Sequence, residues 1–364
     1  MNQTAQAPAP RAILLTGFPT FTARYLLQHI LQTEPDAKIT CIVRKDRMER
    51  ATASIAAADL HRVELLEGSI HALDLGLTGK QYMELVRKTT DVYHLDSLWN
   101  MRASRQRLHD INFRGTLNVL ECIKDIQGLK RYNHFSTAYV CGNRTGVIME
   151  EEFNEGQTFL NPFEQTQYEA EKEVRKHMGD LPITIYRPSL IVGHSATGQV
   201  DHLSGPYALF EPMVKLAMDL PMLLPGSGAA PLNMVPVDYV VAALYALSID
   251  ERATGRTFHL VDPNPLSARR TFELVALAAG KPLPRGRLPE TITRVMGRVT
   301  QGLARSLRPE AQALEDFNRW LLFNNLNTSE LLRDQPHCPS FPEYVDAMVR
   351  FLQSGDEGTA QAVG

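Results

Sequence analysis

One glycine stands where the first apolar run of the chain gives way to a helical pattern. The run 12–15 stops at Gly17, and apolar residues recur at helical spacing over 25–31. A strand-to-helix turn that binds a dinucleotide uses three glycines, for the tight turn, for backbone approach to the pyrophosphate and for helix packing. Here Thr20 and Ala23 occupy the second and third positions. The turn therefore predicts a phosphate cradle in which Thr20 either crowds the phosphate or donates its hydroxyl to it.

A basic turn follows the second apolar run. Residues 39–43 end in Arg44 and Lys45, and no carboxylate stands at the end of the run, where one would bind a ribose 2′-hydroxyl. A guanidinium there suits a 2′-phosphate, so the pattern predicts NADP(H) in preference to NAD(H). The alternatives are Asp46 as a ribose ligand, a solvated basic loop, and no bound cofactor.

Short apolar runs alternate with helical stretches through the first half of the chain. The runs are 12–15, 39–43, 63–66, 91–95, 131–135 and 183–186. This alternation predicts a parallel sheet covered on both faces, and the glycine turn before the first helix predicts a doubly wound, Rossmann-like α/β fold.

The rest of the chain is predicted to be a smaller, mainly helical substrate region. Its expected span is 191–354, after a dinucleotide-binding domain at 11–190, and a strand and helix near 232–262 are expected to return to the core. Residues 1–10 and 355–364 are predicted to be tails. The stretch 281–308 carries an apolar stripe and seven basic residues against one acidic residue. It is interpreted as a solvated helix face, or as a peripheral membrane, acyl-carrier or acidic-partner surface.

Composition excludes several classes of function. The 364 residues are 44% hydrophobic and 22% charged, as in globular proteins, and 38 basic against 41 acidic residues give a net charge of −3. We therefore expect no nucleic-acid binding. Four cysteines lack zinc or disulfide spacing, so we expect no metal site and a cytoplasmic location. No apolar run is long enough for a transmembrane segment. The acidic run 150–152 is expected to be a solvated turn.

Several motifs resemble those of the extended short-chain dehydrogenases/reductases, and more narrowly their thioester-reductase and fatty-acyl-reductase ("male sterility") branch. They are Leu-Leu-Thr-Gly-Phe (14–18), Cys-Ile-Val-Arg (41–44), Val-Tyr-His-Leu (92–95), Asn-Phe-Arg-Gly-Thr-Leu-Asn-Val-Leu-Glu (112–121), Phe-Ser-Thr-Ala-Tyr-Val (135–140), Ile-Tyr-Arg-Pro-Ser (185–189) and the segment 233–240. The resemblance covers residues 11 to about 352, in order.

The resemblance implies a site for reducing an acyl thioester or aldehyde, whose substrate is a small molecule or a carrier-bound group. Thr137, beside Ser136, matches the hydroxyl that polarises the carbonyl, and Asn112 matches the relay asparagine. In the family a tyrosine donates the proton, and a lysine four residues later lowers the tyrosine pKa from ~10. The implied cofactor contacts are Thr16, Gly17, Thr20, Phe21, Arg44, Lys45, Ser69, Ile70, Leu95, Pro188 and Ile191.

The tyrosine and lysine positions can be assigned in two registers. Tyr168 and Lys172 have the required spacing. The wider pattern of the branch, Asn-x-Tyr-Glu-x-Thr-Lys-Tyr-x-Ala-Glu, instead places Phe163 at the tyrosine position and Gln167 at the lysine position. A five-residue shift on a helix rotates a side chain by about 140° and moves it ~7.5 Å along the axis, so only one pair can face Thr137. We favour Phe163 and Gln167, which makes Tyr168 and Lys172 surface residues.

Two further departures from the branch fall at cofactor positions. Ser69 replaces an aspartate that meets the adenine, and Asp96 stands where small residues line the nicotinamide side. We therefore predict an NAD(P)-binding member that is catalytically impaired or redirected and acts on or with an acyl or aldehyde ligand. The alternative is an active NADPH-dependent reductase that uses Tyr168 and Lys172 or a substitute acid. A sugar-nucleotide epimerase or reductase is the less favoured alternative. The oligomeric state is not predicted.

Overall fold

A seven-stranded parallel sheet forms the centre of the protein. The computed structural model describes residues 11–99, 103–215, 224–225, 227–284, 287–288, 318–333 and 335–355. The strands are β1 (Ala12–Thr16), β2 (Lys38–Val43), β3 (Val63–Glu67), β4 (Asp91–His94), β5 (Arg131–Phe135), β6 (Gly146–Ile148), β7 (Ile183–Pro188), β8 (Leu190–Val192), β9 (Leu224–Pro225), β10 (Met234–Pro236), β11 (Thr257–Leu260), β12 (Arg287–Leu288) and β13 (Leu321–Phe323). The central sheet has the order β11-β7-β5-β4-β1-β2-β3, and its strand pairs are parallel.

Helices connect the strands and cover the sheet. They are α1 (Phe21–Thr33), α2 (Met48–Ala53), α3 (Gly79–Lys88), α4 (Arg105–Leu108), α5 (Gly115–Asp125), α6 (Pro162–Arg175), α7 (Tyr207–Lys215), α8 (Val237–Ile249), α9 (Ala268–Ala278), α10 (Leu326–Leu332) and α11 (Phe341–Ser354). A π-helical segment, His109–Arg114, joins α4 to α5. No helix in the described ranges is long and apolar enough to cross a lipid bilayer.

The two faces of the sheet bury separate apolar clusters. Successive side chains of a strand point to opposite faces, so Leu15 packs with α1 and α8, whereas Leu14 packs with α3 and α5 on the other face. Both leucines are fully buried. The predicted doubly wound parallel fold is confirmed, and each of the six predicted runs is a strand of the central sheet.

The chain after β7 makes a second layer of packing. Helices α7, α9 and α11 share an apolar cluster that includes Phe210, Phe272 and Tyr344. Strand β8 pairs with β10, and β11 returns to the edge of the central sheet beside β7. The predicted tail 1–10, most of the tail 355–364 and most of the basic stretch 281–308 lie outside the described residues.

The topology places a crevice at the carboxyl edge of the sheet. The chain leaves β1 toward β2 on one side, whereas β4 lies on the other side of β1. In open α/β sheets ligands bind at such a change of direction, beyond the carboxyl ends of the strands. The segments that follow β1, β4, β5 and β7 therefore meet at this edge.

Candidate active site

A cavity of about 460 Å³ opens at the carboxyl edge of the sheet. Its wall includes the segments 19–22, 97–99, 135–137, 188–191, 200–202 and 204–207. The cavity therefore joins the turn after β1 to the loop after β5 and to the segment that follows β7. Predicted cofactor contacts Thr20, Phe21, Leu95, Pro188 and Ile191 lie on this one wall.

The turn between β1 and α1 requires a glycine, because the backbone that follows β4 packs directly against it. Gly17 has a φ of +88°, which L-residues with a side chain rarely adopt, and a Cβ there would lie 2.7 Å from the amide nitrogen of Asp96. Thr20 is the N-cap of α1 but makes no side-chain capping bond, so its hydroxyl is available to the cavity. The geometry therefore fits the phosphates of a dinucleotide at the positive end of α1.

Thr16 differs from its predicted role. Its hydroxyl lies 2.7 Å from Nδ1 of His94 and is fully buried between β1 and β4. Burial lowers the pKa of His94 well below its usual value, so the ring is neutral and forms a hydrogen-bonded pair with Thr16. The Thr16 side chain is therefore committed to the core, and only its backbone belongs to the turn.

A smaller cavity of about 30 Å³ lies where β2 and β3 end. Gly17, Arg44, Ser69 and Ile70 line it, together with Asp96. Burial raises the pKa of Asp96, and neighbouring Arg47 acts in the opposite direction. The residues predicted to contact the adenosine side of the cofactor therefore lie together, and the carboxylate of Asp96 lies among them.

The two predicted basic residues at the end of β2 differ in placement. Arg44 binds Asp46 through Nε, 2.9 Å from Oδ1, and through Nη2. Nη1 of Arg44 takes no part in this ion pair. Lys45 is exposed and lines neither cavity, whereas Asp46 and Arg47 of the same 3-10 turn, Lys45–Arg47, line the large cavity.

Two hydroxyls follow β5 on the wall of the large cavity. Ser136 donates a hydrogen bond of 2.6 Å to the buried carboxylate of Glu171, so its proton is already engaged. Thr137 caps the next 3-10 turn by accepting from the amide of Tyr139 at 3.3 Å. Since its oxygen accepts in that bond, the Thr137 hydroxyl proton remains available to a ligand in the cavity.

Asn112 is buried behind the cavity wall rather than on it. It lies in the π-helical segment, accepts from the amide of Leu98 at 2.7 Å and donates to the hydroxyl of Thr166 at 3.0 Å. It therefore ties the wall segment 97–99 to α6. Its amide is used by these two partners, and its match to the relay asparagine stays a prediction.

Helix α6 presents Phe163 and Gln167 to the large cavity. Asn161 begins the helix by accepting from the amide of Glu164 at 2.9 Å, and this cap fixes the helix end. The Gln167 amide donates to the hydroxyl of Ser97, which also lines the cavity. Phe163 and Gln167 therefore share the cavity with Thr137.

Tyr168 and Lys172 point away from the cavity. The Tyr168 ring packs against Phe153 and Phe159 at centroid distances of 4.6 and 4.9 Å, and its hydroxyl donates to Asn154 at 2.9 Å. Lys172 is exposed to solvent. Neither side chain is brought near Thr137.

The comparison with family models decides the relationship of this chain to known proteins. Residues 15–244, more than half of the chain, match a model described as male sterility protein, an NAD-binding family. The chain belongs to this family. The resemblance inferred from the motifs is thereby confirmed, and a nicotinamide dinucleotide is the cofactor class that the family binds.

This member of the male sterility family is similar to parts of larger proteins. An aldehyde reductase of Aspergillus flavus is 27% identical over 382 residues, which cover 94% of this chain and 36% of that protein. A non-canonical nonribosomal peptide synthetase of Aspergillus hancockii is 24% identical over 369 residues, 93% of this chain and 36% of that protein. The chain spans about a third of the length of these relatives.

A solved structure of similar architecture supports the same relationship. The terminal R domain of the myxalamid PKS-NRPS biosynthetic pathway superposes with a TM-score of 0.79 and 25% identity, over 96% of this chain and 92% of that domain. The chain thus has the fold of an R domain over nearly its whole length.

Sequence reasoning missed two acidic residues of the cavity. Glu164 is buried on the wall and binds Arg319 at 2.8 Å. Burial raises the Glu164 pKa, whereas Arg319 lowers it. Asp201 also lies on the wall, and its partners are arginines far away in the sequence. The sequence signal for Glu164 was its match to the glutamate of the branch pattern, next to Phe163, and there was none for Asp201.

Proposed function

We propose that the chain binds NADP(H) and an acyl or aldehyde ligand in the large cavity, and that its hydride-transfer activity is impaired. The observation that carries this proposal is the arrangement of α6. Phe163 and Gln167 line the cavity with Thr137, whereas the Tyr168 hydroxyl is bonded to Asn154 elsewhere. The family's proton donor and its ammonium group are thus replaced by an aromatic hydrocarbon and an amide.

The residues that would hold the cofactor form a continuous path. The Gly17 turn and the start of α1 would bind the pyrophosphate, Arg44 the 2′-phosphate, and Pro188 and Ile191 the nicotinamide side. When bound, NADPH supplies a hydride. The Thr137 hydroxyl would hold the carbonyl oxygen of the second ligand by donating a hydrogen bond.

The absence of a proton donor and of a neighbouring ammonium group determines how much slower we expect turnover to be. Phe163 has no proton to give, and Gln167 has no charge to lower the pKa of a neighbouring group. General acid catalysis contributes about 10²–10⁴-fold to a rate, so turnover slower than that of a complete site by such a factor is the expected result. Bound ligand would then be retained rather than rapidly reduced.

The ligand class follows from the cavity and the family. The wall combines apolar groups such as Phe135, Leu190 and Ile191 with the Thr137 hydroxyl, which suits an acyl chain that ends in a carbonyl. The similar proteins include an aldehyde reductase and a nonribosomal peptide synthetase. We therefore propose an aldehyde or an acyl thioester, free or attached to a carrier.

Glu164 supports a second candidate, an active reductase with a substitute acid. It is buried on the cavity wall next to Phe163, and burial raises its pKa, as a proton donor requires. Its ion pair with Arg319 opposes this role because it favours the charged carboxylate. An active parent that loses turnover in Glu164→Gln would establish this candidate.

The experiment measures NADPH oxidation with an aldehyde and with an acyl thioester, after calorimetry has shown that NADPH binds. We expect the parent to oxidise NADPH slowly, and Tyr168→Phe to leave that slow rate unchanged. A parent that turns over NADPH readily and loses this activity in Tyr168→Phe would contradict the proposal. Lys124→Gln, an exposed change of a lysine on α5, is the matched control for a surface effect.

A further inference from the structure

Asp201 connects the C-terminal region to the dinucleotide-binding half through two arginines. It lies between β8 and α7, accepts from Nη2 of Arg24 on α1, and accepts from Nη2 of Arg50 on α2 at 2.8 Å. Asp201 and Arg50 both lie on the wall of the large cavity. A carboxylate on the wall of the proposed ligand site is therefore held by two guanidinium groups, of which that of Arg50 also lines the cavity.

The Asp201 carboxylate lies near the turn at which a phosphate is expected. Arg24 is one turn into α1, and its amide donates to the carbonyl of Thr20 at 2.9 Å. The first turn of a helix after a glycine turn binds phosphate through its backbone N–H groups and its dipole. Asp201 thus lies beside the start of α1 and contacts a residue of its first turn.

Positive charge exceeds negative charge around Asp201. Arg47 also lines the cavity and makes no salt bridge within the part of the chain that the structure describes, and burial lowers its pKa. Nε of Arg24 is buried without a hydrogen-bond partner among the described residues. Asp46 is engaged by Arg44, and the carboxylate of Asp96 also lies near Arg47.

Unmatched donors of this kind favour an anion with more oxygens than a carboxylate. A buried N–H donor such as Nε of Arg24 is stabilised when it meets an acceptor, and phosphate oxygens match the guanidinium geometry. The two oxygens of the Asp201 carboxylate bind two of the three arginines here, Arg24 and Arg50. Nε of Arg24 has no acceptor among the described residues. A diphosphate offers more oxygens and more charge at the same place.

We propose that Arg24 and Arg50 form a diphosphate-binding site that Asp201 occupies in this structure, so that a dinucleotide binds by exchanging the Asp201 carboxylate for its own diphosphate. This inference rests on the proposed function for the identity of the ligand. Asp201 is then an internal competitor that sets the affinity for the cofactor. Removing its charge strengthens binding, and removing an arginine weakens it.

The test compares the parent with Asp201→Asn by calorimetry, using ADP as the diphosphate probe and adenosine as its uncharged counterpart. Glu211→Gln, which removes a carboxylate paired with Lys215 on α7, is the matched control. We expect Asp201→Asn to bind ADP about tenfold more tightly, the size of one charged hydrogen bond, with adenosine unchanged. An equal or weaker affinity for ADP in folded Asp201→Asn would overturn the inference.

A second variant keeps the inference testable if Asp201→Asn does not fold, which a thermal melt will show. Arg50→Gln removes one of the two guanidinium groups and leaves Arg24 beside Asp201. We expect it to bind ADP about tenfold more weakly than the parent. Unchanged ADP affinity in Arg50→Gln would overturn the inference.

Two additional titrations distinguish the possible sources of the phosphate. They also distinguish a failure of this inference from a failure of the proposed function. Tightening for 4′-phosphopantetheine but not for ADP in Asp201→Asn would reject the dinucleotide as the ligand of this site. If NADPH binds the parent and Asp201→Asn equally, the inference fails and the proposed function stands. If ADP tightens but NADPH binds neither protein, the anion site stands and the proposed function fails.

Discussion

Arg44 is the residue on which the proposed preference for NADP(H) depends. Its Nε and Nη2 bind Asp46, and the residue lines the small cavity, in which we propose that it binds the 2′-phosphate. A charged hydrogen bond contributes about 1.5–3 kcal/mol. We therefore expect Arg44→Ala to weaken NADPH binding at least about tenfold and to leave NADH binding nearly unchanged, as measured by calorimetry.

A matched control for Arg44→Ala is Arg270→Ala. Arg270 is also an ion-paired arginine, with Glu273 on α9, but it does not line either cavity. It should leave both affinities unchanged. Equal affinity of the parent for NADPH and NADH would contradict the assignment of Arg44 to the 2′-phosphate.

The Thr20 side chain either crowds a pyrophosphate bound at the turn or donates a hydrogen bond to it. Its hydroxyl makes no capping bond to α1, and the residue lines the large cavity. If the side chain crowds the pyrophosphate, Thr20→Gly should bind NADPH more tightly, and this is the outcome we expect. Calorimetry on the two proteins measures it, with Thr33→Gly at the exposed end of α1 as the control for added backbone freedom. Weaker binding in Thr20→Gly would identify the hydroxyl as a phosphate ligand.

Single residues could be assigned from sequence only where their type restricted their role. Gly17 was predictable because the turn needs a positive φ, and Arg44 because it ends a strand. Glu150 was predicted to lie in a solvated turn, which is wrong. It is buried and accepts from the amide of His259 at 2.8 Å and from the hydroxyl of Thr328 at 3.0 Å. These partners lie more than 100 residues away, and no local pattern indicates them.

At the scale of elements, α6 is anchored by a buried ion cluster. Glu171 is fully buried and binds Arg187 of β7 at 2.6 Å and Arg175 at 2.8 Å. Burial alone would raise its pKa, but the two arginines lower it to about 2. The cluster fixes which face of α6 meets the sheet, and therefore fixes Phe163 and Gln167 on the cavity wall.

Glu171→Gln should strongly destabilise the protein. The change leaves Arg187 buried without its counter-charge, and removing one partner of a buried pair costs about 3–5 kcal/mol. Urea unfolding measures the free energy of unfolding. Glu173→Gln on the same helix, whose partner Lys176 is exposed, should change it by less than about 0.5 kcal/mol. Equal stability of the two variants would contradict the role given to the cluster.

The ion pair between Glu171 and Arg187 also makes the stability of the protein depend on pH. The folded pKa of Glu171, about 2, lies below its ordinary value of 4.5. Its contribution to stability is therefore complete above pH 4.5 and is lost as the pH falls toward 2. Thermal melts over this range should fall more steeply for the parent than for Glu171→Gln. Parallel curves would show that Glu171 is not held charged in the folded protein.

The central strands were predictable because each is a continuous apolar run between helical stretches. The two- and three-residue strands were not, since β9, β12 and β13 are too short for a pattern. The β13 pairing with β6 also joins segments some 170 residues apart. The face of α6 could be predicted because Asn161, Glu164 and Thr166 keep the family's register, and a helix with a known phase has known faces.

At the scale of the whole molecule, the cavity is a product of both halves of the chain. One side is the edge of the sheet, and the other is formed by 188–191 and the loops up to Tyr207. No sequence pattern indicates that Asp201 contacts Arg24 and Arg50, because that contact depends on how the two halves pack. The site was therefore predictable on its sheet side and not on its loop side.

The central claim is that the cavity can hold cofactor and ligand but lacks a proton donor and an ammonium group at Phe163 and Gln167. The most direct measurement is NADPH oxidation with an aldehyde by the double variant Phe163→Tyr/Gln167→Lys, the two single variants and the parent, after titration has shown that each binds NADPH. We expect measurable oxidation by the double variant, less by either single variant and least by the parent, because the two groups act as one unit. A double variant that binds NADPH and oxidises it no faster than the parent would show that these two positions do not limit turnover.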